Sequence, residues 1–249
     1  MNFLRFEAVI AAIPKQWFEI ILNEGRNTND LVPWYIKQIK ADQKPGKRAY
    51  QQFRNTIATT NIKSEQKWQE NLNIVTDESF WADIYTSTKC TKETKLRNFQ
   101  YKLLTRILPT NKLLYTCKLK ETQLCSLCGL YTETLEHLFY DCKVTYSLLL
   151  QLTDWLATGN IHINLNQTTI LLGYLYKDNL YHTLINHIIL IFKYFIFTKK
   201  LQNKEPSLES LKQKLLMYYE LEKMTQDIIQ KRKTIEKWEP LLIILDDPP

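Results

Sequence analysis

Glycine and proline are scarce, at five and eight residues in a chain of 249. Antiparallel β architectures need turn residues roughly every 8–12 positions, so this scarcity argues against a sandwich or barrel. Long runs rich in Leu, Lys, Glu, Gln and Ile point instead to helices. Catalytic signatures are missing as well. There is no Gly-rich phosphate loop, no Gly-x-Ser-x-Gly elbow and no His-Glu-x-x-His pair, which removes the nucleotide hydrolases, serine hydrolases and zinc peptidases that depend on them. The only two adjacent aspartates, Asp246 and Asp247, stand before two prolines with no third carboxylate to complete a polymerase metal site, and read as a solvated tail. No catalytic residue is assigned. Long hydrophobic runs are also lacking. The most apolar stretch, Thr183 to Phe197, is interrupted by Asn186, His187 and Lys193 and predicts a buried helix, not a membrane span. Glu7 breaks the first apolar run, so no signal peptide is predicted and an intracellular protein, nuclear or cytoplasmic, is expected.

Cysteine is present in a pattern. Residues 125–142, CSLCGLYTETLEHLFYDC, place Cys125, Cys128, His137 and Cys142 in the order Cys-x2-Cys-x8-His-x4-Cys. Three thiolates and an imidazole are the ligand set of a closed tetrahedral zinc site, and four protein ligands leave no open position for water or substrate, so the ion would be structural. Two Cys separated by two residues fit one tight turn, and Gly129 can adopt the positive φ that such a turn demands. Glu133 and Glu136 suit the start of a helix that carries His137, with Cys142 about a turn and a half further on. Scattered core thiols are the plain alternative, and disulfides belong to secreted chains. Cys90 and Cys117 fit no ligand spacing with each other and are read as packing or spare thiols.

Charge is concentrated. Between Lys89 and Glu121 lie nine basic residues against Glu93 and Glu121, so this stretch holds the whole formal excess of +7, and the remainder balances at 24 basic and 24 acidic. Such a run beside a zinc knuckle suggests a phosphate-binding surface rather than an ordinary solvated face. Thr94 to Leu108 is the strongest predicted helix. Leu96, Leu103 and Ile107 share one face, and Lys95, Lys102 and Arg106 fall within about 40° of each other on a neighbouring stripe beside Phe99. Pro109 is expected to end it, and Lys112, Lys118 and Lys120 lead on to the knuckle.

Elsewhere, helices are expected at 2–12, 14–22 and 49–57, with a strand or short helix at 32–39 and a turn at 42–48. Thr76, Asp77 and Glu78 mark a helix start. Further helices are expected at 144–156, with Leu148 to Leu150 and Trp155 inward, in two segments of 168–200, and from Ser207 to Lys233, with Trp238 and Pro240 beyond. Residues 161–165 read as a short strand or linker. Trp17, Trp34, Trp68 and Trp81 are expected to be core anchors, and His162, His182 and His187 surface, boundary or core residues rather than ligands.

The run TKLRNFQYKLLTRILPTNKLLY, followed by CSLCGLYTETLEHLFYDC, resembles the reverse-transcriptase zinc-binding segment downstream of the polymerase core in LINE-type, non-LTR retrotransposon polyproteins. PSLESLKQKLLMYYELEKM and KWEPLL look like the carboxy-terminal tail of the same polyproteins. That resemblance implies a helical module that helps engage template RNA and target DNA during target-primed reverse transcription, with Cys125, Cys128, His137 and Cys142 as ligands. Fingers, palm, thumb and endonuclease have no counterpart here, so the chain is not expected to polymerise DNA by itself.

These readings predict a mainly α protein: an N-terminal helical region (1–86), a basic helix with a zinc-binding domain (87–157) and a C-terminal helical region (158–249), with helical lobes flanking the Cys-Cys-His-Cys knuckle. RNA or single-stranded DNA, and the polymerase core of the parent element, are the expected partners, and Lys95, Lys102, Arg106, Lys112, Lys118 and Lys120 the expected phosphate contacts. The rival reading is a helical interaction scaffold stapled by zinc, whose basic helix docks an acidic protein.

Overall fold

The computed structural model describes residues 63–163, 166–176, 179–225 and 228–246, all within a unit running from Ile62 to Pro249. The elements expected between 2 and 57, together with Trp17 and Trp34, lie outside the described residues. The fold is mainly α. In chain order the helices are α1 (Lys63–Leu72), α2 (Glu78–Ser87) with a 3-10 turn (Thr88–Cys90), α3 (Thr94–Leu104), α4 (Asn111–Thr116), a π turn (His137–Asp141), α5 (Lys143–Thr158), α6 (Gln167–Leu172), α7 (His182–Gln202), α8 (Leu208–Met224) and α9 (Ile228–Asp246). Among the described residues the only β pairing is an isolated antiparallel bridge, Leu124 to Thr132.

The core is built around α7. Its sequence is apolar on every side, and a helix without a polar face must be enclosed. Of its 21 residues, 14 are buried, and α3, α8, α9, the 3-10 turn and the π turn pack against it. Phe99 of α3 sets its ring edge-on to Phe139 of the π turn at 6.0 Å and to Tyr194 of α7 at 5.3 Å, so a single aromatic side chain joins knuckle, basic helix and core. Trp68 and Trp81 are core anchors as expected, and Trp68 donates its indole N–H to Leu104 O at 2.9 Å. At Gly173, φ is +132°, and a Cβ would come within 2.9 Å of Ser87 Oγ, so the chain passes here only without a side chain.

Helix starts follow side-chain capping. Asp77, Thr110, Asn166 and Ser207 each accept from a backbone N–H in the first turn of the helix they precede. Helix ends show what a Gly-poor chain does in place of glycine. Left-handed residues close α1, α3, α4, α5 and α7, and none of the five is Gly: Asn73, Arg106, Lys118, Asn160 and Asn203. At α3 the N–H of Ile107 bonds Lys102 O and that of Arg106 bonds Leu103 O, both at 2.9 Å, the pair that defines a Schellman end.

Three sequence expectations are corrected. Helix α3 stops at Leu104, not Leu108, because the left-handed turn at Arg106 ends it before Pro109 acts; Ile107 leaves the apolar face and stands 56% exposed. The helix expected from Ser207 to Lys233 is two, α8 and α9, and Pro240 lies inside α9, whose last residue is Asp246. Leu150 faces outward on α5, while Leu148, Leu149 and Trp155 are buried. Residues 161–163 form no strand, and no described helix is long and apolar enough to cross a membrane.

Lys193 of α7 is fully enclosed. Its Nζ donates to Leu171 O at 3.1 Å, an oxygen that also accepts from Gln100 Nε2 at 3.2 Å. Burial pushes its ammonium down from 10.5 to about 7, with the nearby Cys90 thiol opposing. Between these two values the unfolded chain binds a proton that the folded one has lost, so the contribution of Lys193 to stability rises with pH across that window and is flat below it. Lys193→Met should raise the melting temperature at pH 7 and flatten the alkaline rise; thermal melts from pH 6 to 10 measure both.

Candidate metal centre and basic surface

The four sequence-predicted ligands meet. Ligand atoms of Cys125, Cys128, His137 and Cys142 all lie within 4.8 Å of one another. Cys125 Sγ is 3.9 Å from Cys142 Sγ, and Cys128 Sγ is 3.3 Å from His137 Nε2. A tetrahedral zinc ion with Zn–S near 2.3 Å and Zn–N near 2.0 Å sets its ligand atoms about 3.5–3.8 Å apart, so the donor set and its spacing fit that ion.

Two local devices bring them there. The bridge at Leu124 and Thr132 is extended by Cys125 N to Tyr131 O and Glu133 N to Gln123 O, both 2.8 Å, which pairs the strand-like flanks of the turn. Gly129, at φ +67°, closes that turn by donating to Cys125 O at 2.8 Å. The second device is the π turn. In an α-helix five residues rotate through about 500°, leaving residue i+5 some 140° away from residue i. A π turn closes i to i+5, and Cys142 N donates to His137 O at 2.7 Å, so the two side chains reach the same ion. The short α-helix expected around His137 is in fact this wider turn.

Cys142 also precedes α5, where first-turn amides are unpaired. Its thiol is pulled down, first by a hydrogen bond from Cys125 and, against its burial, by the N–H groups of Thr145 and Val144; Cys125 is pushed up in return. Cys90 is buried away from the site and Cys117 is exposed, as packing and spare thiols would be.

Glu133 stands two residues ahead of the helical turn that begins at Leu135. It is fully buried, and its carboxylate forms an ion pair with Lys200 of α7 at 2.7 Å. The same carboxylate accepts from Asn111 N at 2.8 Å and from Ser126 N at 3.0 Å, while Lys200 Nζ also donates to Pro109 O at 2.8 Å. Ser126 lies between Cys125 and Cys128, so the pair fixes the metal-binding turn directly. Glu136 is held below the usual carboxylate range. Burial opposes this, but the Asn71 amide and the Arg106 guanidinium outweigh it, each 2.7 Å from Glu136 Oε1.

The expected phosphate contacts separate into groups. Lys95 and Lys102 are exposed on α3, Lys112 is exposed on α4, and Lys118 is exposed at its left-handed end. Lys120 is exposed yet its Nζ reaches Asn111 Oδ1 at 2.9 Å. Arg106 leaves the stripe it was expected to share with Lys95 and Lys102. It lies beyond α3, half-buried, with its guanidinium 4.1 Å from the Trp68 ring centroid. Sequence reasoning missed Lys200, Glu133 and Trp68 as parts of the site. Glu133 stands between Thr132 and Thr134, so nothing local marked its burial.

Ligand thiols must deprotonate, so zinc affinity should fall about tenfold per pH unit for each proton released, which a competition titration with a chelator from pH 8 to 6 would read. Removing the Glu133 charge strands Lys200. Glu133→Gln should cost about 3–5 kcal/mol in urea unfolding of the zinc-loaded protein, and adding Lys200→Met should restore much of it.

The family model described as zinc-binding in reverse transcriptase matches residues 47–148, from ahead of α1 into α5, and takes in all four candidate ligands. No curated protein matches the chain. The segment is therefore similar to a zinc-binding domain associated with reverse transcriptases, and its candidate metal site is a Cys3His cluster.

Proposed function

We propose that this chain is a non-catalytic nucleic-acid-binding module, for RNA or single-stranded DNA, of the kind found in the carboxy-terminal part of a non-LTR, LINE-type reverse transcriptase. One observation carries the reading. The entire formal charge excess falls between Lys89 and Glu121, and eight of the nine basic side chains there are exposed. A core would hide them, and a merely solvated face would intersperse acids. Exposed Tyr101, Tyr115 and Tyr131 lie in the same region and offer rings on which bases can stack.

In this reading the zinc ion holds the knuckle, α3 and α4 present Lys95, Lys102, Lys112, Lys118 and Lys120 to phosphates, and the polymerase core of the parent element supplies the chemistry. The similarity of residues 47–148 to the reverse-transcriptase domain supports the association.

Phosphate contacts release counterions. With about five of them on a single strand, log affinity should fall against log salt with a slope near −3.5, and Lys95→Ala with Lys102→Ala should reduce that slope by about 1.4 while leaving the fold intact. Anisotropy titrations with labelled single-stranded RNA at several salt concentrations measure both. A slope near zero, or tight binding to an acidic protein in place of RNA, would sink the reading.

A further inference from the structure

A groove of about 350 Å³ opens between α1, the end of α3, α4 and the knuckle, and Arg106 lies in it. Its backbone is left-handed, a conformation that costs a side chain with a Cβ about 1–2 kcal/mol. Three of the five equivalent helix ends use Asn, which tolerates it, so the reason for Arg here lies in its side chain. That side chain is immobilised: one face rests on Trp68, and Nη2 pairs with Glu136 Oε1 at 2.7 Å. Among the described residues, Nη1 is buried and has no partner. A buried guanidinium N–H lacking an acceptor is costly, so a phosphate oxygen that reached Nη1 would relieve that cost. Lys67 and Lys112 line the same groove, while its carboxylate, Glu136, is already engaged by Asn71 and Arg106.

We propose that this groove seats one nucleotide of a single strand, its phosphate accepting from Arg106 Nη1 and flanked by Lys112 and Lys67. The inference rests on the nucleic-acid reading above and adds a defined subsite to it. Pockets of a few hundred Å³ enclose small ligands, so the space admits a nucleotide but not a duplex. Binding through this groove therefore discriminates single strands from double strands, which the exposed lysines alone would not do.

The test uses the zinc-loaded full chain and a short fluorescein-labelled oligouridine, with a duplex RNA as competitor. Arg106→Lys keeps the charge and loses the fork, and should weaken oligouridine binding about tenfold. Lys112→Glu alters an exposed side chain, cannot act through misfolding of the core, and should weaken it at least as much. Duplex RNA should compete poorly. If both variants bind like the wild type while Lys95→Ala with Lys102→Ala binds weakly, the groove is overturned and the nucleic-acid reading stands. Equal competition by duplex also overturns the groove. If the wild type fails to bind oligouridine even at low salt, both proposals fall.

Discussion

The structure depends on a buried carboxylate and a buried ammonium. Glu133 and Lys200 meet at 2.7 Å with side chains 0% and 3% exposed, where neither ion could persist alone. Their remaining bonding capacity is spent on backbone groups of the turn between the first two cysteines, of the loop after α3 and of the start of α4. Metal-binding turn, basic segment and central helix are therefore registered to one another by a single charge pair. Apolar packing could bring these segments together, but it has no direction. Hydrogen bonds to Ser126 N and Asn111 N do, and they fix how the thiolates face.

A second constraint comes from composition. With five glycines, the chain closes five of its described helices on left-handed residues that bear a Cβ, while α6 stops at Gly173. Asn bonds its own backbone well enough to accept the left-handed region. Arg106 and Lys118 have no such compensation, yet their cations stand at helix C-termini, where the macrodipole favours positive charge. Both lie in the basic stretch, where Lys118 is exposed and adds to the surface charge while Arg106 is half-buried against Trp68 and Glu136.

Legibility in the sequence followed the range of the interactions. The Cys-Cys-His-Cys set was readable because its members lie within eighteen residues and metal chemistry permits few alternatives. The enclosed α7 was readable from an apolar run too polar to span a membrane, and the caps at Asp77 and Ser207 from local hydrogen-bonding types. The end of α3 was not. Periodicity carried it to Leu108, because nothing in the sequence says that Arg106 will turn left to reach Trp68 and Glu136 across 38 and 30 positions. Lys200 and Glu133 are 67 residues apart, and a lysine near the end of an apolar helix looks like a dipole partner until a buried carboxylate is set opposite it.

On the proposed nucleic-acid reading, the charge at the metal centre decides which groups could attract phosphate. Zinc held by three thiolates and a neutral imidazole would give the centre one net negative charge, so the loaded centre would repel a nucleic acid at short range. Glu133 is neutralised by Lys200 and Glu136 by Arg106, which keeps the knuckle from adding to that repulsion. Attraction must then come from the lysines of α3, α4 and the loop that follows them. On the proposed reading metal and cations have separate tasks: the ion would set the shape of the knuckle, and that shape would hold exposed ammonium groups against like-charge repulsion. Removing the metal should thus loosen the basic surface through geometry, although it removes positive charge from a centre whose thiolates outnumber it.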